Sequence, residues 1–205
     1  MASSHPQCRP ARAHRAFTLI ELLVVTGIIV VVSTVVLADN NRFGGKVQLE
    51  NLAYDIALSI RQAQVYGISV ARFGAGTFSA GYGVHFDTSN FNTYVLFADI
   101  YPTPGDGIFQ AAQGELVSTT DITSGYRILK VCAPEGTDST SCTDVGSVDV
   151  TFERPEPDAW ISAGGTSCAY GLGVCADSAR IVLQSPRSDI MSVVMEANGQ
   201  ISIQH

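Results

Sequence analysis

The segment from Phe17 to Ala38 constrains this chain more than any other part, because it is almost entirely apolar. As an α-helix with a rise of about 1.5 Å per residue, it would extend about 33 Å, enough to cross a bilayer. It is too long for most secretory signal cores, and no Ala-x-Ala-like cleavage site follows it. Three arginines precede it and Asp39 follows it. The positive-inside rule therefore predicts a single pass through the cytoplasmic (inner) membrane, with the amino terminus inside and the head outside.

One acidic residue, Glu21, lies near the start of this segment. An ionised side chain inside a membrane helix costs about 2.5–3.5 kcal/mol on insertion scales and usually has a partner. No lysine or arginine occurs from Phe17 to Asn41, so the segment itself supplies no cation. Cleavage between Ala16 and Phe17 would create one, because the new α-amino group would lie one helical turn from Glu21. The amine of a neighbouring copy is an equal alternative, and either pairing makes Glu21 an assembly residue that sets the register between packed helices.

The short basic leader followed by FTLIELLVV resembles the class III signal of type IV pilins and type II secretion pseudopilins. The resemblance implies that a prepilin peptidase in the membrane removes residues 1–16 and methylates the new amino terminus at Phe17. Glu21 then corresponds to the acidic fifth residue of the mature chain in that family. The family usually has glycine before the cut, whereas this chain has Ala16, which is also small. The implied partners are the peptidase and other pilins, which pack through their N-terminal helices.

The charge of the chain argues against nucleic acid as a partner. The 205 residues carry a formal charge of −7, and the leader holds three arginines and no acid, so the remainder has 9 basic against 19 acidic side chains. Phosphate backbones bind to clustered lysine and arginine. Only a thin basic group lies near the helix: Arg42, Lys46, Arg61 and Arg72. The balance instead predicts a self-repelling, solvent-exposed surface.

Residues 39–66 are predicted to form a hinge followed by an amphipathic helix. Gly44 and Gly45 each lower helix propensity by about 1 kcal/mol relative to alanine, which predicts a hinge or break between the membrane half and the packed half. After them, apolar residues recur at helical spacing and mark one buried face. The residues of this face are Leu49, Leu52, Ala53, Ile56, Ala57, Ile60 and Ala63.

Beyond Gly67 the apolar pattern changes to a period of two, so residues 67–205 are predicted to form a β-rich head. The Asn198–Gly199 dipeptide between two such runs is a strong hairpin signal. A long helix packed on an antiparallel sheet follows, which is an α+β fold. The candidate strands are Ile68–Phe73, Tyr82–Phe86, Thr93–Ala98, Glu115–Thr119, Tyr126–Val131, Ser147–Phe152, Ala179–Gln184, Ile190–Glu196 and Ile201–Ile203.

A second resemblance covers most of the chain. LENLAYDIALSIRQAQVYGISV followed by YGVHFD resembles the GspH/FimT group of minor pseudopilins and minor pilins. In that group a helix bearing Arg-Gln-Ala leads into a β-sandwich-like head. The resemblance implies a pilin-like fold, in which the long N-terminal helix packs on an antiparallel β-sheet head.

Of the five cysteines, Cys8 lies in the leader and four lie in the exported part. An even number of cysteines in an oxidising compartment predicts disulfides. Pairing of nearest neighbours gives Cys132–Cys142 and Cys168–Cys175, each worth about 2–3 kcal/mol, and two other connectivities remain open. Zinc is a poorer interpretation, because the spacings do not match C-x2-C and no histidine lies near either pair.

Asp99 and Asp106 bracket the loop sequence DIYPTPGDG and are weak candidates for calcium ligands, because calcium prefers oxygen atoms. Proline, glycine and aspartate are also the ordinary composition of a turn. RPEPDAW, from Arg154 to Trp160, is predicted to be an extended connector with Trp160 as a packing anchor.

Catalysis finds little support in the sequence. His85 lies in an alternating strand, and no G-x-S-x-G, H-E-x-x-H or P-loop motif occurs. The chain is therefore expected not to be an enzyme and to need no cofactor. It is predicted to be an initiating or minor subunit of a type IV pilus-like filament or of a type II secretion pseudopilus. A DNA-uptake minor pilin and a signal-anchored extracellular binding protein that keeps its leader are the alternatives.

Overall fold

The first element of the fold is one long helix. The computed structural model describes residues 17–69, 72–74, 80–169 and 172–205, with the side chains of residues 38–43 and 172 not described. Helix α1 runs from Leu19 to Ile68. The chain divides into two compact units between Phe43 and Gly44.

The glycine pair Gly44–Gly45 does not end α1, so of the predicted hinge or break the break is wrong, and the hinge stays a prediction. The hydrogen bonds of the helix interior and the packing of the apolar face that follows outweigh the loss of about 1 kcal/mol at each glycine. The hydroxyl of Tyr126 also donates to the carbonyl of Gly45 at 3.0 Å, which ties this turn to the head. The boundary between the compact units nonetheless falls directly before Gly44.

The second half of α1 presents the predicted apolar face to the core. Five residues at helical spacing are fully buried: Leu49, Ala53, Ile56, Ile60 and Ala63. Two more, Leu52 and Ala57, pack against the core while partly exposed. Burial of this face supplies most of the stability of such a helix, because propensity alone contributes little.

Two antiparallel sheets and a short hairpin complete the head. The strands are β1 (Gly81–Asp87), β2 (Thr93–Asp99), β3 (Leu116–Asp121), β4 (Arg127–Cys132), β5 (Ser147–Phe152), β6 (Ala159–Ala163), β7 (Cys168–Ala169), β8 (Leu172–Gly173), β9 (Ser178–Gln184), β10 (Ile190–Glu196) and β11 (Ile201–Gln204). The five-stranded sheet has the order β3-β2-β1-β5-β6, the four-stranded sheet the order β11-β10-β9-β4, and β7 pairs with β8. One apolar cluster joins α1 to both sheets. The arrangement is the predicted α+β, pilin-like fold.

Most of the predicted strands are present, and the Asn198–Gly199 turn joins β10 to β11 as expected. The predicted strand Ile68–Phe73 is wrong, because α1 continues through Ile68 and Phe73 forms only a single bridge; Val70 and Ala71 lie outside the described residues. The rings of Tyr66 and Tyr82 pack edge to face with centroids 5.4 Å apart, so a tertiary contact stabilises the helix end against the local β-branched sequence.

Strand β6 is a second difference from the sequence-based expectation. The predicted connector ends at Asp158, and Trp160 lies in β6, where it pairs with Thr151 of β5. Pro155 and Pro157 restrict only the backbone before the strand, because proline is disfavoured inside a sheet but not ahead of one. The two prolines favoured the prediction of a connector, although β6 begins at Ala159, two residues after Pro157.

Gly67, in the last turn of α1, lies against the backbone of β5. A β-carbon at this position would meet the carbonyl oxygen of Phe152 at 2.2 Å, whereas one at Gly44 would have nothing within 4 Å. The absence of a side chain at Gly67 therefore permits the close approach of helix and sheet.

We expect Gly67→Ala to lower the free energy of unfolding of the head by about 2 kcal/mol or more, because the added methyl group meets backbone that cannot move without disturbing β5. Gly44→Ala is the matched control and should raise it by about 0.5–1 kcal/mol through helix propensity. Denaturant titration of the full chain in detergent, followed by near-ultraviolet circular dichroism, measures both. Equal effects of the two substitutions would contradict this account of Gly67.

Candidate functional site

The N-terminal part of α1 is an apolar surface without cover in the isolated chain. The segment Leu19–Leu37 is long and apolar enough to span a membrane, and none of its residues is buried. Phe17, the first described residue, is 76% exposed. A contiguous apolar surface of this size requires lipid or another protein against it.

Two of the polar residues in this segment are satisfied by the helix itself. The Thr26 hydroxyl donates to the Leu23 carbonyl at 3.0 Å, and the Thr34 hydroxyl lies 2.9 and 2.8 Å from the carbonyls of Val30 and Val31. Such back-bonding lets a hydroxyl lie in hydrocarbon without an external partner. An ionised carboxylate cannot be satisfied in this way, because it has no hydrogen to donate to these carbonyls.

Glu21 is in the first turn of α1. Its backbone N–H donates to the Thr18 hydroxyl at 3.3 Å, so Thr18 caps the helix and Glu21 occupies the third helical position. The pattern Thr-x-x-Glu is a capping-box signature that is readable from the sequence, and an acid here also interacts favourably with the helix dipole. No ion pair among the described residues involves Glu21. Ala16, the other residue of the predicted cut, lies outside the described residues.

Both predicted disulfides are confirmed. Cys132 and Cys142 have Cα atoms 5.7 Å apart and Cys168 and Cys175 have Cα atoms 4.9 Å apart, each pair with its sulfurs bonded. Nearest-neighbour pairing of the four cysteines that follow Cys8 is therefore confirmed. Cys8 lies outside the described residues.

Asp99 and Asp106 lie close together, and their carboxylate oxygens accept hydrogen bonds from backbone N–H groups of the loop. Asp99 accepts from the N–H groups of Asp106 at 3.1 Å and Gly107 at 2.8 Å. Asp106 accepts from the Ile108 N–H at 3.0 Å and also from the Gln110 side chain. Within the described part of the chain, no group of three or more His, Cys, Asp or Glu residues suits a metal ion. Calcium binding by these two residues stays a prediction.

Glu115, at the other end of this loop, is fully buried and was predicted to lie in a strand. It lies just before β3, and its carboxylate accepts from the N–H groups of Ile100 at 3.2 Å, Tyr101 at 3.0 Å and Gln110 at 2.7 Å. A single acid thus satisfies three backbone donors that no strand or helix pairs. The loop 100–115 is folded around acidic side chains.

A His–Asp pair fastens the same loop to the sheet. Asp149 of β5 is buried; it accepts the Phe109 N–H at 3.1 Å and lies 2.7 Å from Nδ1 of His85 on β1. The ring of Phe109 packs on His85 and Phe97, with centroids 5.2 and 5.5 Å away. His85, which the sequence placed in an alternating strand, therefore contributes to loop attachment.

Three of these groups hold protons more tightly than usual. Burial raises the pKa of Asp99 to about 7, although the N–H groups of Gly107 and Asp106 oppose the shift. Burial also raises the pKa of Glu115 against its three hydrogen bonds. For His85, burial lowers the pKa, but the hydrogen bond and charge of Asp149 raise it above the ordinary value overall.

The basic residues considered for nucleic-acid binding do not form a compact patch. Lys46 and Arg61 are exposed on α1, about 22 Å apart along the helix axis at about 1.5 Å per residue. Arg72 is exposed in the described segment 72–74, and the side chain of Arg42 lies outside the described residues. Phosphate binding depends on clustered cations, which this spacing does not supply.

Comparison with known families supports the interpretation of the N-terminal segment. A family model described as the prokaryotic N-terminal methylation motif matches residues 11–37, which include Ala16, Phe17, Glu21 and most of the apolar segment. No curated protein and no solved structure matches the chain. The chain therefore carries a type IV pilin-like signal on a membrane-anchoring helix. That signal implies processing by a prepilin peptidase and assembly with other pilins.

We expect the head to be more stable at pH 5 than at pH 8. Asp99, Glu115 and His85 have raised pKa values in the folded state, so their contribution is complete below their ordinary pKa values and is lost as the pH rises through the folded ones. For Asp99 this loss extends from about pH 4 to beyond its folded pKa of about 7. Denaturant midpoints of the full chain in detergent at several pH values measure the effect.

Asp99→Asn should flatten this pH dependence. The control is Asp138→Asn, because hydrogen bonds to the Thr140 side chain and neighbouring amides lower the pKa of Asp138 to about 2, outside the tested range. A midpoint that rises from pH 5 to pH 8, or an equal change in both variants, would contradict the assignment to Asp99.

Proposed function

We propose that this chain is a minor subunit of a type IV pilus-like filament or of a type II secretion pseudopilus. The observation that carries the proposal is that the methylation motif coincides with an uncovered apolar helix whose first turn holds a carboxylate without an ion-pair partner among the described residues. The role is structural rather than catalytic. The GspH/FimT-like course of the chain, in which Arg61-Gln62-Ala63 near the end of α1 precede the β head, supports a minor or initiating subunit.

Before assembly the chain would wait in the cytoplasmic membrane, with the leader inside and the head outside. Cleavage after Ala16 frees the α-amino group of Phe17. On extraction from the membrane, the apolar side chains of α1 exchange lipid for the helices of other subunits, so van der Waals packing is retained while lipid is released.

Glu21 gives this exchange a register. In a water-free bundle the carboxylate is strongly favoured beside the Phe17 amine, its own or a neighbour's, because an unpaired buried charge is costly. The interaction occurs at one axial offset between helices, whereas contacts among valine, isoleucine and leucine side chains tolerate many. Charge pairing therefore selects the assembled geometry that apolar packing leaves open.

The first test of this proposal is the identity of the mature amino terminus. We expect mass spectrometry of the chain purified from its membrane or filament to find a species that begins with N-methylated Phe17. Ala16→Gly should be processed at least as completely, since glycine is the usual residue before the cut in the resembled family. A purified native chain that retains residues 1–16 would instead support the signal-anchored alternative.

The second test separates the charge of Glu21 from its capping position. Glu21→Gln keeps a side chain that a capping box accepts but removes the charge, so we expect incorporation into sheared filaments to fall at least about tenfold. Thr18→Ala is the matched control, because it removes the cap at a cost of about 1 kcal/mol of helix stability but keeps the charge, and incorporation should persist. Immunoblots of filament and membrane fractions measure both. Normal incorporation of a stable Glu21→Gln protein would rule out register by charge.

A further inference from the structure

The edge strands of the two sheets differ in whether another segment of the chain covers them. The loop after β4 covers the edge of that strand, where the Val145 N–H donates to the Val131 carbonyl at 2.9 Å and Asp144 accepts the Val131 N–H at 3.2 Å. At the edge of β6, the Ala176 N–H donates to the Ile161 carbonyl at 3.1 Å. Each of these covering segments includes a disulfide. The edge strand β11 is only four residues long.

The remaining edge strand, β3, is longer and every one of its residues is exposed. Its sequence LVSTTD contains one charge at its end and neither lysine nor proline. Natural proteins usually protect sheet edges with such residues, with bulges or with a covering segment, because an open edge recruits other strands. The register of β3 does shift opposite Leu96 and Phe97, but only near its beginning.

The last part of β3 has backbone groups that point away from β2. The Ile122 N–H donates to the Asn92 carbonyl at 2.6 Å, and Thr120 pairs with Tyr94 in the same register. Because backbone donors alternate in direction along a strand, the N–H and C=O groups of Thr119 and Asp121 are directed outward. They are in position to pair with an added strand.

An open groove lies beside this edge. Its volume is about 480 Å³, and residues of α1 line it together with Tyr94, residues 120–124 and Tyr126. Hydrogen bonds join α1 to the opposite wall of the groove. The hydroxyls of Ser59 and Tyr94 lie 3.0 Å apart, and the Tyr126 hydroxyl donates to the Gly45 carbonyl. The lining is acidic at Asp55 and Asp121 and apolar at Leu58, which is 67% exposed; none of the described residues that line it is basic.

We propose that the β3 edge and this groove bind an extended segment of another protein that carries lysine or arginine. The segment would pair with the outward backbone groups of Thr119 and Asp121, as in strand-addition complexes. Alternate side chains of the added strand would point to the face on which Thr120 lies, where long basic side chains reach the groove and Asp55. The side chains between them would point to the opposite face, on which Asp121 lies.

Charge favours this occupant over a second copy of the chain. The part of the chain after the leader has 9 basic and 19 acidic residues, so two heads repel each other. The β3 strand of a second copy would also bring Asp121 and no cation to an acidic groove. The inference involves only the compact unit that begins at Gly44, so it holds or fails independently of cleavage and of Glu21.

The experiment uses the full chain in non-ionic detergent and end-capped, fluorescent eight-residue peptides. In the first peptide valine and threonine alternate with lysine; in the second glutamate replaces lysine; in the third the lysine peptide has N-methylated backbone amides. We expect anisotropy to show binding of the first peptide, at least about tenfold weaker binding of the second because of Asp55 and Asp121, and loss of binding for the third.

Variants locate the binding site. Thr119→Pro removes an outward N–H while leaving the ladder with β2 complete, so the head should fold normally and lose the lysine peptide. Thr119→Val keeps the N–H and should bind. The double variant Asp55→Asn, Asp121→Asn should lose the preference for lysine over glutamate. If Thr119→Pro disturbs folding, the N-methylated peptide tests the same hydrogen bonds from the ligand side.

Three results would overturn the proposal. One is the absence of measurable binding of the lysine peptide to the unaltered chain. Another is equal binding of the lysine peptide by folded Thr119→Pro, or of the N-methylated peptide by the unaltered chain. The third is concentration-dependent self-association that Thr119→Pro removes, since the edge would then bind a second copy.

Discussion

A charged group in a water-poor environment needs partners, and this requirement applies both to the buried acids of the head and to Glu21 of the N-terminal helix. In the head the requirement is met internally: Asp99, Glu115 and Asp149 each receive backbone N–H groups. In the N-terminal helix Thr26 and Thr34 are also satisfied by local carbonyls. Glu21 differs from all of these, because its environment is apolar and its charge has no ion-pair partner among the described residues. Under the proposed function, its partner is the amine that cleavage creates at Phe17, in the same chain or in another subunit.

The same physics assigns different roles to carboxylates that look alike in sequence. Asp99 and Asp106 have the composition of a calcium loop, and backbone N–H groups of the same loop donate hydrogen bonds to both side chains. The cost of burying Asp99 appears instead as a raised pKa. A buried acid in the head thus organises a surface loop, whereas an acid in the membrane helix is suited to organise an assembly.

Periodicity and spacing predicted the parts of the fold that depend on local sequence. The buried face of α1, the strands with alternating apolar residues, and disulfides between neighbouring cysteines all follow from residues close together in the chain. The differences arise where distant contacts decide. Ile68 stays helical while Tyr66 packs on Tyr82, β6 begins directly after two prolines, and Glu115 is buried by a loop rather than a strand. Thr18 is another case, because its capping role was readable from Thr-x-x-Glu but was obscured by the apolar pattern around it.

Apolar helices and polar head surfaces contribute differently to the choice of neighbours. Valine, isoleucine and leucine side chains pack against almost any similar helix, so the segment Leu19–Leu37 provides attraction with little discrimination. Glu21 can fix an axial offset, but every subunit that carries the same acid would fix the same one. Discrimination among partners is therefore better suited to the surface proposed above, which is directional and charged because β3 ends in Asp121 and its groove holds Asp55. Disulfide-bearing segments cover the edges of β4 and β6 and β11 is short, so β3 is the longest open edge for the proposed strand pairing.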